Sequence, residues 1–182
     1  YGDHRDLHLS LRRQRQMCIR DRVNIPNQLC KLSMVGKPKV EALAKLVCEL
    51  TEIQIKWTRQ KYRGQRLEGV VIVTADNMTC RYNVWKRARL NRKVPLLIDA
   101  RMGAEFARIY TICPTHVDEV DFYQQNLYSS NEAEHLPCSA RSIIYCPMVV
   151  AGYIALLVKK YATNQPLPWE TLFDLPNFVL QT

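Results

Sequence analysis

The stretch Val70-Val-Ile-Val-Thr-Ala-Asp-Asn-Met-Thr-Cys-Arg81 decides how this chain is read. An apolar run of four residues, all β-branched, stops at Thr74. An unbroken apolar run of this length suits a strand buried on both faces, as in a parallel sheet. Asp76 follows, and a polar sequence able to start a helix comes next. In open α/β sheets, ligands bind beyond the carboxyl ends of the strands. An acid there is placed to hold a metal-bound phosphate. Together with Gly36-Lys-Pro-Lys39 upstream, the stretch points to nucleotide chemistry.

Working outward, Pro38–Leu50 reads as a helix, because Val40, Leu43, Leu46, Val47 and Leu50 recur at helical spacing. Pro38 suits its first turn, where a missing N–H costs nothing. Ile53, Ile55 and Trp57 alternate as a short strand, and 70–73 form a continuous buried one. A helix is expected over Met78–Arg89, and a third strand over Val94–Asp99. Arg101-Met-Gly103 reads as a tight turn in which Asp99 and Arg101 pair, so the strand at Phe106–Cys113 would close a hairpin. Val117–Leu127 is a further helix, Asn131–Ser139 a polar loop and Pro147–Tyr161 a strong helix. The last stretch, from Pro166, is expected to lie extended along the surface. This order argues for an α/β fold whose sheet is mostly parallel with an antiparallel extension.

The bulk numbers depend on the first 22 residues. Tyr1-Gly-Asp-His-Arg-Asp-Leu-His8 and Arg12-Arg-Gln-Arg-Gln-Met-Cys-Ile-Arg-Asp21 match, in one frame, the translation of two successive sequencing-library adapter elements. Leu9-Ser-Leu11 falls where the variable index lies between them. Residues 1–22 are therefore read as non-native, with the natural protein entering at about Val23. The chain carries 26 basic and 17 acidic residues, a charge of +9. Removing the 6 Arg and 3 Asp of residues 1–22 leaves 20 basic and 14 acidic residues, or +6. That is moderate, and no run of cations with interleaved aromatics suggests nucleic acid.

The remaining cysteines, at 30, 48, 80, 113, 138 and 146, form no C-x-x-C pair, so no zinc is expected. Scattered cysteines without a signal peptide suggest a reducing cytoplasm. The apolar run 143–158 contains Pro147 and Gly152 and is short for a membrane span; it suits a buried helix, and no membrane partner is expected. His116 and His135 lack metal-like spacing and read as surface residues.

Four pieces stand in order: Asn24-Ile-Pro-Asn-Gln28; Val35-Gly-Lys-Pro-Lys-Val-Glu-Ala42; Val73-Thr-Ala-Asp-Asn-Met-Thr-Cys-Arg81; and Pro137-Cys-Ser139 ahead of an apolar helix. Over about residues 23–161 the chain thereby resembles the HesA/MoeB/ThiF family, which adenylates ubiquitin-like and sulfur-carrier proteins. Their order and spacing carry the likeness. The family pattern has an Asn-x-x-Arg-Gln element, a Gly-x-Pro-Lys helix start and an Asp-Asn-x-x-x-Arg element after a strand.

The resemblance implies roles for single residues. Asp76 would ligate Mg²⁺ on ATP; from the residues alone, capping the next helix is an equal reading. Lys39 matches the lysine on the ATP phosphates, in preference to Lys37. Asn24 and Gln28 match the nucleotide-contacting Asn and Gln, while Asn27 stands where the family has Arg. Asn77 either contacts the nucleotide or caps the helix. Arg81 would brace the loop. Cys138 falls where ubiquitin-activating relatives place a thioester-forming cysteine, with Arg141 able to favour its thiolate. Cys146, expected at a helix N-terminus, is its rival.

The expected fold is an incomplete Rossmann-like α/β domain over residues 23–165, followed by the tail 166–182. The expected cofactors are ATP and Mg²⁺. The expected partners are a small β-grasp carrier and, in the full-length protein, a second copy in a homodimer. Because the glycine-rich loop and the first strand would lie upstream, the chain by itself is expected to have little or no activity. The alternative is a non-catalytic scaffold half of an activating heterodimer, which Asn27 would suit. A dinucleotide-dependent oxidoreductase ranks last, because nothing in the sequence supplies a hydride-transfer site.

Overall fold

A computed structural model describes residues 31–128 and 144–182. The chain divides into two compact units, residues 1–61 and 62–182. In the first, a single 3-10 turn at Leu32–Met34 leads to helix α1, Lys39–Thr51. Gly36 takes the left-handed conformation between them (φ 86°), where a side chain would be strained. Pro38 sits one position earlier than expected, as the N-cap residue, and Glu41 lies in the first turn, near the positive end of the helix dipole. Met34 and Ala42 are buried, with Leu46 packed against them.

The second unit is built on one mixed sheet. Its strands are β1 (Val71–Val73), β2 (Leu97–Gly103), β3 (Phe106–Ile112), β4 (Glu170–Asp174) and β5 (Val179–Gln181), ordered in space as in sequence. Helix α2 (Met78–Ala88) connects β1 to β2, α3 (Val117–Gln125) follows β3, and α4 (Tyr145–Ala162) precedes β4. Side chains alternate across the sheet, as the two-residue period of a strand requires. Leu97, Tyr110 and Ile112 face Val84, Trp85 and Ala88 of α2 and Val120 and Tyr123 of α3. Ile98, Ala100, Ala107 and Ile109 face Val150, Ile154 and Leu157 of α4. The sheet therefore lies between two helical layers.

Several expectations are corrected. Among the described strands only β1 and β2 pair in parallel; β2–β3, β3–β4 and β4–β5 are antiparallel. The expected balance is reversed because the C-terminal stretch is not laid along the surface. It is extended, but as two strands of the sheet, with Thr171 and Phe173 buried. Among the described strands β1 is the edge of the sheet, and its Ile72 is 47% exposed because α4 packs over β2 and β3. An unbroken β-branched run reads as buried on both faces, but only a neighbouring layer makes it so.

The strand expected over 94–99 begins at Leu97, opposite Val71, and runs on to Gly103. Pro95 has no N–H to give to a ladder, which delays the start. The hairpin turn moves with it, to Ala104 (φ 53°) and Glu105, so Gly103 is a strand residue rather than the turn. No strand forms at Ile53–Trp57. Helix α1 closes on left-handed Glu52 (φ 61°), and Ile53, Ile55 and Trp57 stay exposed. Alternation marks a face but supplies no partner for it. Among the described residues, no helix is long and apolar enough to cross a membrane.

Truncating Ile98, fully buried at the sheet centre, should cost about 3 kcal/mol as Ile98→Ala. Ile72→Ala on the open edge should cost less than about 1 kcal/mol. Urea unfolding of the two variants measures both, and equal losses would contradict the edge position of β1.

Candidate functional site

The site grows from the end of β1. Val73 pairs with Asp99, and the chain then leaves the sheet through Thr74 and Ala75 to reach Asp76 and Asn77. Asn77 is the N-cap of α2: its Oδ1 accepts from the Cys80 N–H at 2.8 Å. Its amide Nδ2 donates to Asp76 Oδ1, also at 2.8 Å. Asn77, not Asp76, caps the helix, and the exposed Asp76 carboxylate is oriented by its neighbour with acceptor capacity to spare.

Arg81 explains the Asp-Asn-x-x-x-Arg spacing. Four residues after Asn77 is about one helical turn, and helix side chains lean toward the N-terminus. Arg81 thus reaches back beneath the loop. It donates to the Ala75 carbonyl, to the Asp99 carboxylate and, at 3.0 Å, to the Ala100 carbonyl. The residue before Asp76 is consequently tied to β2 by a buried guanidinium, which is the bracing role expected of Arg81.

Asp99 is completely buried. Besides Arg81, it accepts from Arg101 Nε at 2.8 Å and from the Tyr123 hydroxyl at 2.9 Å. The expected Asp99–Arg101 pair therefore forms, but within a strand rather than a turn. Arg101 continues outward to the Asn126 carbonyl at 2.8 Å and stacks on the Tyr110 ring, 4.5 Å from its centroid. Burial, reinforced by the Asp99 charge, pushes the Tyr123 hydroxyl far above its usual range. Burial likewise raises Tyr110, against the pull of Arg108 and Arg101. Sequence reading missed Tyr123 and the Arg81–Asp99 contact. The available signal was an acid inside the apolar run Pro95-Leu-Leu-Ile-Asp99, because a buried carboxylate requires partners.

The other site candidates fall elsewhere. Lys39 is the first residue of α1, exposed, and belongs to the first unit; Lys37 is exposed just before it. Asn24, Asn27, Gln28 and Cys138 lie outside the described residues. Cys146 is buried in the first turn of α4. Its thiol is pushed up by burial and by the nearby Glu105, which does not favour the thiolate a nucleophile needs. His116 is a surface residue that pairs with Glu119 at 2.8 Å. Among the described residues, no group of three or more His, Cys, Asp or Glu side chains is placed to hold a metal ion.

No family model matches the chain, and no curated protein matches it. Among solved structures it is similar to the crystal structure of SeMet PaaA, with a TM-score of 0.63 and 14% sequence identity. The alignment covers 88% of this chain and 60% of that one, so the chain spans about three fifths of the length of that structure. At this identity the likeness is one of fold.

Arg81→Ala should cost about 3 kcal/mol, toward the low end for a broken buried pair because Asp99 keeps Arg101 and Tyr123. Asp76→Ala should change stability by less than about 0.5 kcal/mol. Denaturant unfolding checks both values. The raised tyrosines give the pH dependence its sign. Their stabilising contribution is complete below the unfolded value near 10 and is lost as pH rises through the folded values. Stability measured from pH 8 to 11 should fall at the alkaline end, and less steeply in Tyr123→Phe.

Proposed function

We propose that this chain is part of a Rossmann-like adenylating enzyme of the HesA/MoeB/ThiF type. It would act in the cytoplasm on the C-terminal carboxylate of a ubiquitin-like or sulfur-carrier protein. One observation carries the reading: Asp76 stands exposed past the carboxyl end of β1, oriented by Asn77, while Asn77 rather than Asp76 serves the helix. An acid needed only as a cap would have been used as one. The Arg81 brace beneath Ala75 supports the same reading, because it fixes the loop that carries the acid.

A lone exposed carboxylate fits Mg²⁺, which takes one or two carboxylates and fills its other positions with phosphate oxygens and water. When bound, the ion would neutralise phosphate charge. Asp76 supplies the carboxylate that anchors it, and Arg81 keeps that carboxylate in place. Lys39, a compact cation at a helix start, suits a phosphate that changes geometry. The attacking carboxylate is already ionised, so no general base is required. The work left to the protein is positioning and charge compensation in a preorganised site. Cys138 would accept the activated carboxyl as a thioester, releasing AMP. A small β-grasp carrier and a second copy of the chain are the partners this reading entails.

The test is ATP–pyrophosphate exchange by the full-length protein with its carrier. Asp76→Ala should lower exchange by roughly 100-fold with little change in stability. Cys138→Ser should preserve exchange and abolish the thioester on denaturing gels. Undiminished exchange in Asp76→Ala would refute the assigned role. Carrier binding without any exchange in the unaltered protein would favour the scaffold reading, which Asn27 in place of the family arginine already suits.

A further inference from the structure

The second unit carries a groove of about 1070 Å³ that the adenylation reading does not use. It runs along α2, where exposed Tyr82 and Lys86 and, just past the helix, Arg89 recur at helical spacing above buried Met78 and Trp85, and it is completed by Leu90 and by Tyr128 beyond α3. Val84, Trp85 and Ala88 hold the helix to the core and Met78 is buried, while Tyr82, Lys86 and Arg89 stay exposed.

Three features define an occupant. First, Lys86 and Arg89 line the groove and, among the described residues, no Asp or Glu does, so these residues give it a positive field. Second, Tyr82, Leu90 and Tyr128 are 57%, 62% and 44% exposed, a cluster of large apolar surface beside the two cations. Third, Trp85 is 3% exposed and closes the groove from beneath, so the floor is aromatic and an occupant lies over it without reaching its indole N–H. The groove is at the upper limit of small-molecule pockets, which run to about 1,000 Å³, and it is an elongated helix face rather than an enclosed cleft.

We propose that this groove binds an extended acidic segment of a partner protein. Its carboxylates would meet Lys86 and Arg89, and an apolar side chain would lie against Tyr82, Leu90 and Tyr128. Charge complementarity selects the acidic partner. Only two cations on a largely apolar stripe favour a peptide over a nucleic-acid strand, whose phosphates call for a continuous basic track. The inference does not rest on adenylation, because binding requires no nucleotide.

The experiment is fluorescence anisotropy of a fluorescein-labelled peptide, made of Glu and Asp around one Leu and one Phe, titrated with the whole chain without ATP. Lys86→Glu with Arg89→Glu should weaken binding by about tenfold, since both residues are exposed and the pair reverses the field. Arg92→Glu with Lys93→Glu makes the same change of charge on exposed residues outside the groove lining and should weaken binding by less than about twofold. Circular dichroism checks folding, and Lys86→Gln with Arg89→Gln gives the same ranking if reversal proves disruptive. Absence of peptide binding, equal losses in the two pairs, or tighter binding of labelled oligothymidine than of the peptide would each overturn the proposal.

Discussion

The carboxylate of Asp99 is the constraint around which the second unit is organised. A fully buried ionised group must be paired and hydrogen-bonded or it destabilises the fold. Asp99 has three donors, and each comes from a different place: Arg81 on α2, Arg101 on its own strand and Tyr123 on α3. One acid therefore registers two helices against β2. The aromatic contacts follow the same geometry. Trp85 of α2 meets Tyr123 edge-on at 4.7 Å, and Tyr123 meets Tyr110 of β3 at 5.5 Å. The apolar packing of that layer and its polar centre specify one arrangement.

The candidate site inherits its rigidity from this arrangement. The guanidinium that satisfies Asp99 also holds the Ala75 carbonyl, so the position of the Asp76 loop is set by a buried ion pair rather than by the loop itself. Asn77 completes the geometry from the other side by capping α2 while holding the Asp76 carboxylate. An exposed acid on a loop would ordinarily sample many orientations. Here it is fixed by one residue on each side, which is what preorganisation requires of a group that must meet a ligand in one geometry.

Much of this was legible in the order of residues, and the failures have physical causes. The helices at 39–51, 78–88 and 145–162 follow from spacing, and the β2–β3 hairpin from two runs flanking a short break. Arg81 as a brace was expected from the family resemblance, and the physical reason it works is the one-turn offset from the helix cap, which brings a long cation back beneath the loop. The start of β2 was misplaced because Val94 and Leu96 are as buried as strand residues while lying before the ladder. The last stretch was misread because its pairing partner, β3, lies some sixty residues away in sequence. The groove on α2 was invisible because Tyr82, Trp85 and Arg89 form a surface only once Tyr128 is brought beside them.

The sequence by itself determined the strand–acid–helix unit at 70–89, since run length, capping chemistry and helical period are all local properties. Tertiary structure alone decided that this strand is an edge, that the sheet is mainly antiparallel and that Asp99 is buried on three donors. Those outcomes depend on which distant segments meet. A side chain can state its preference for burial or for charge, but only the completed layers decide whether the neighbour it needs is there.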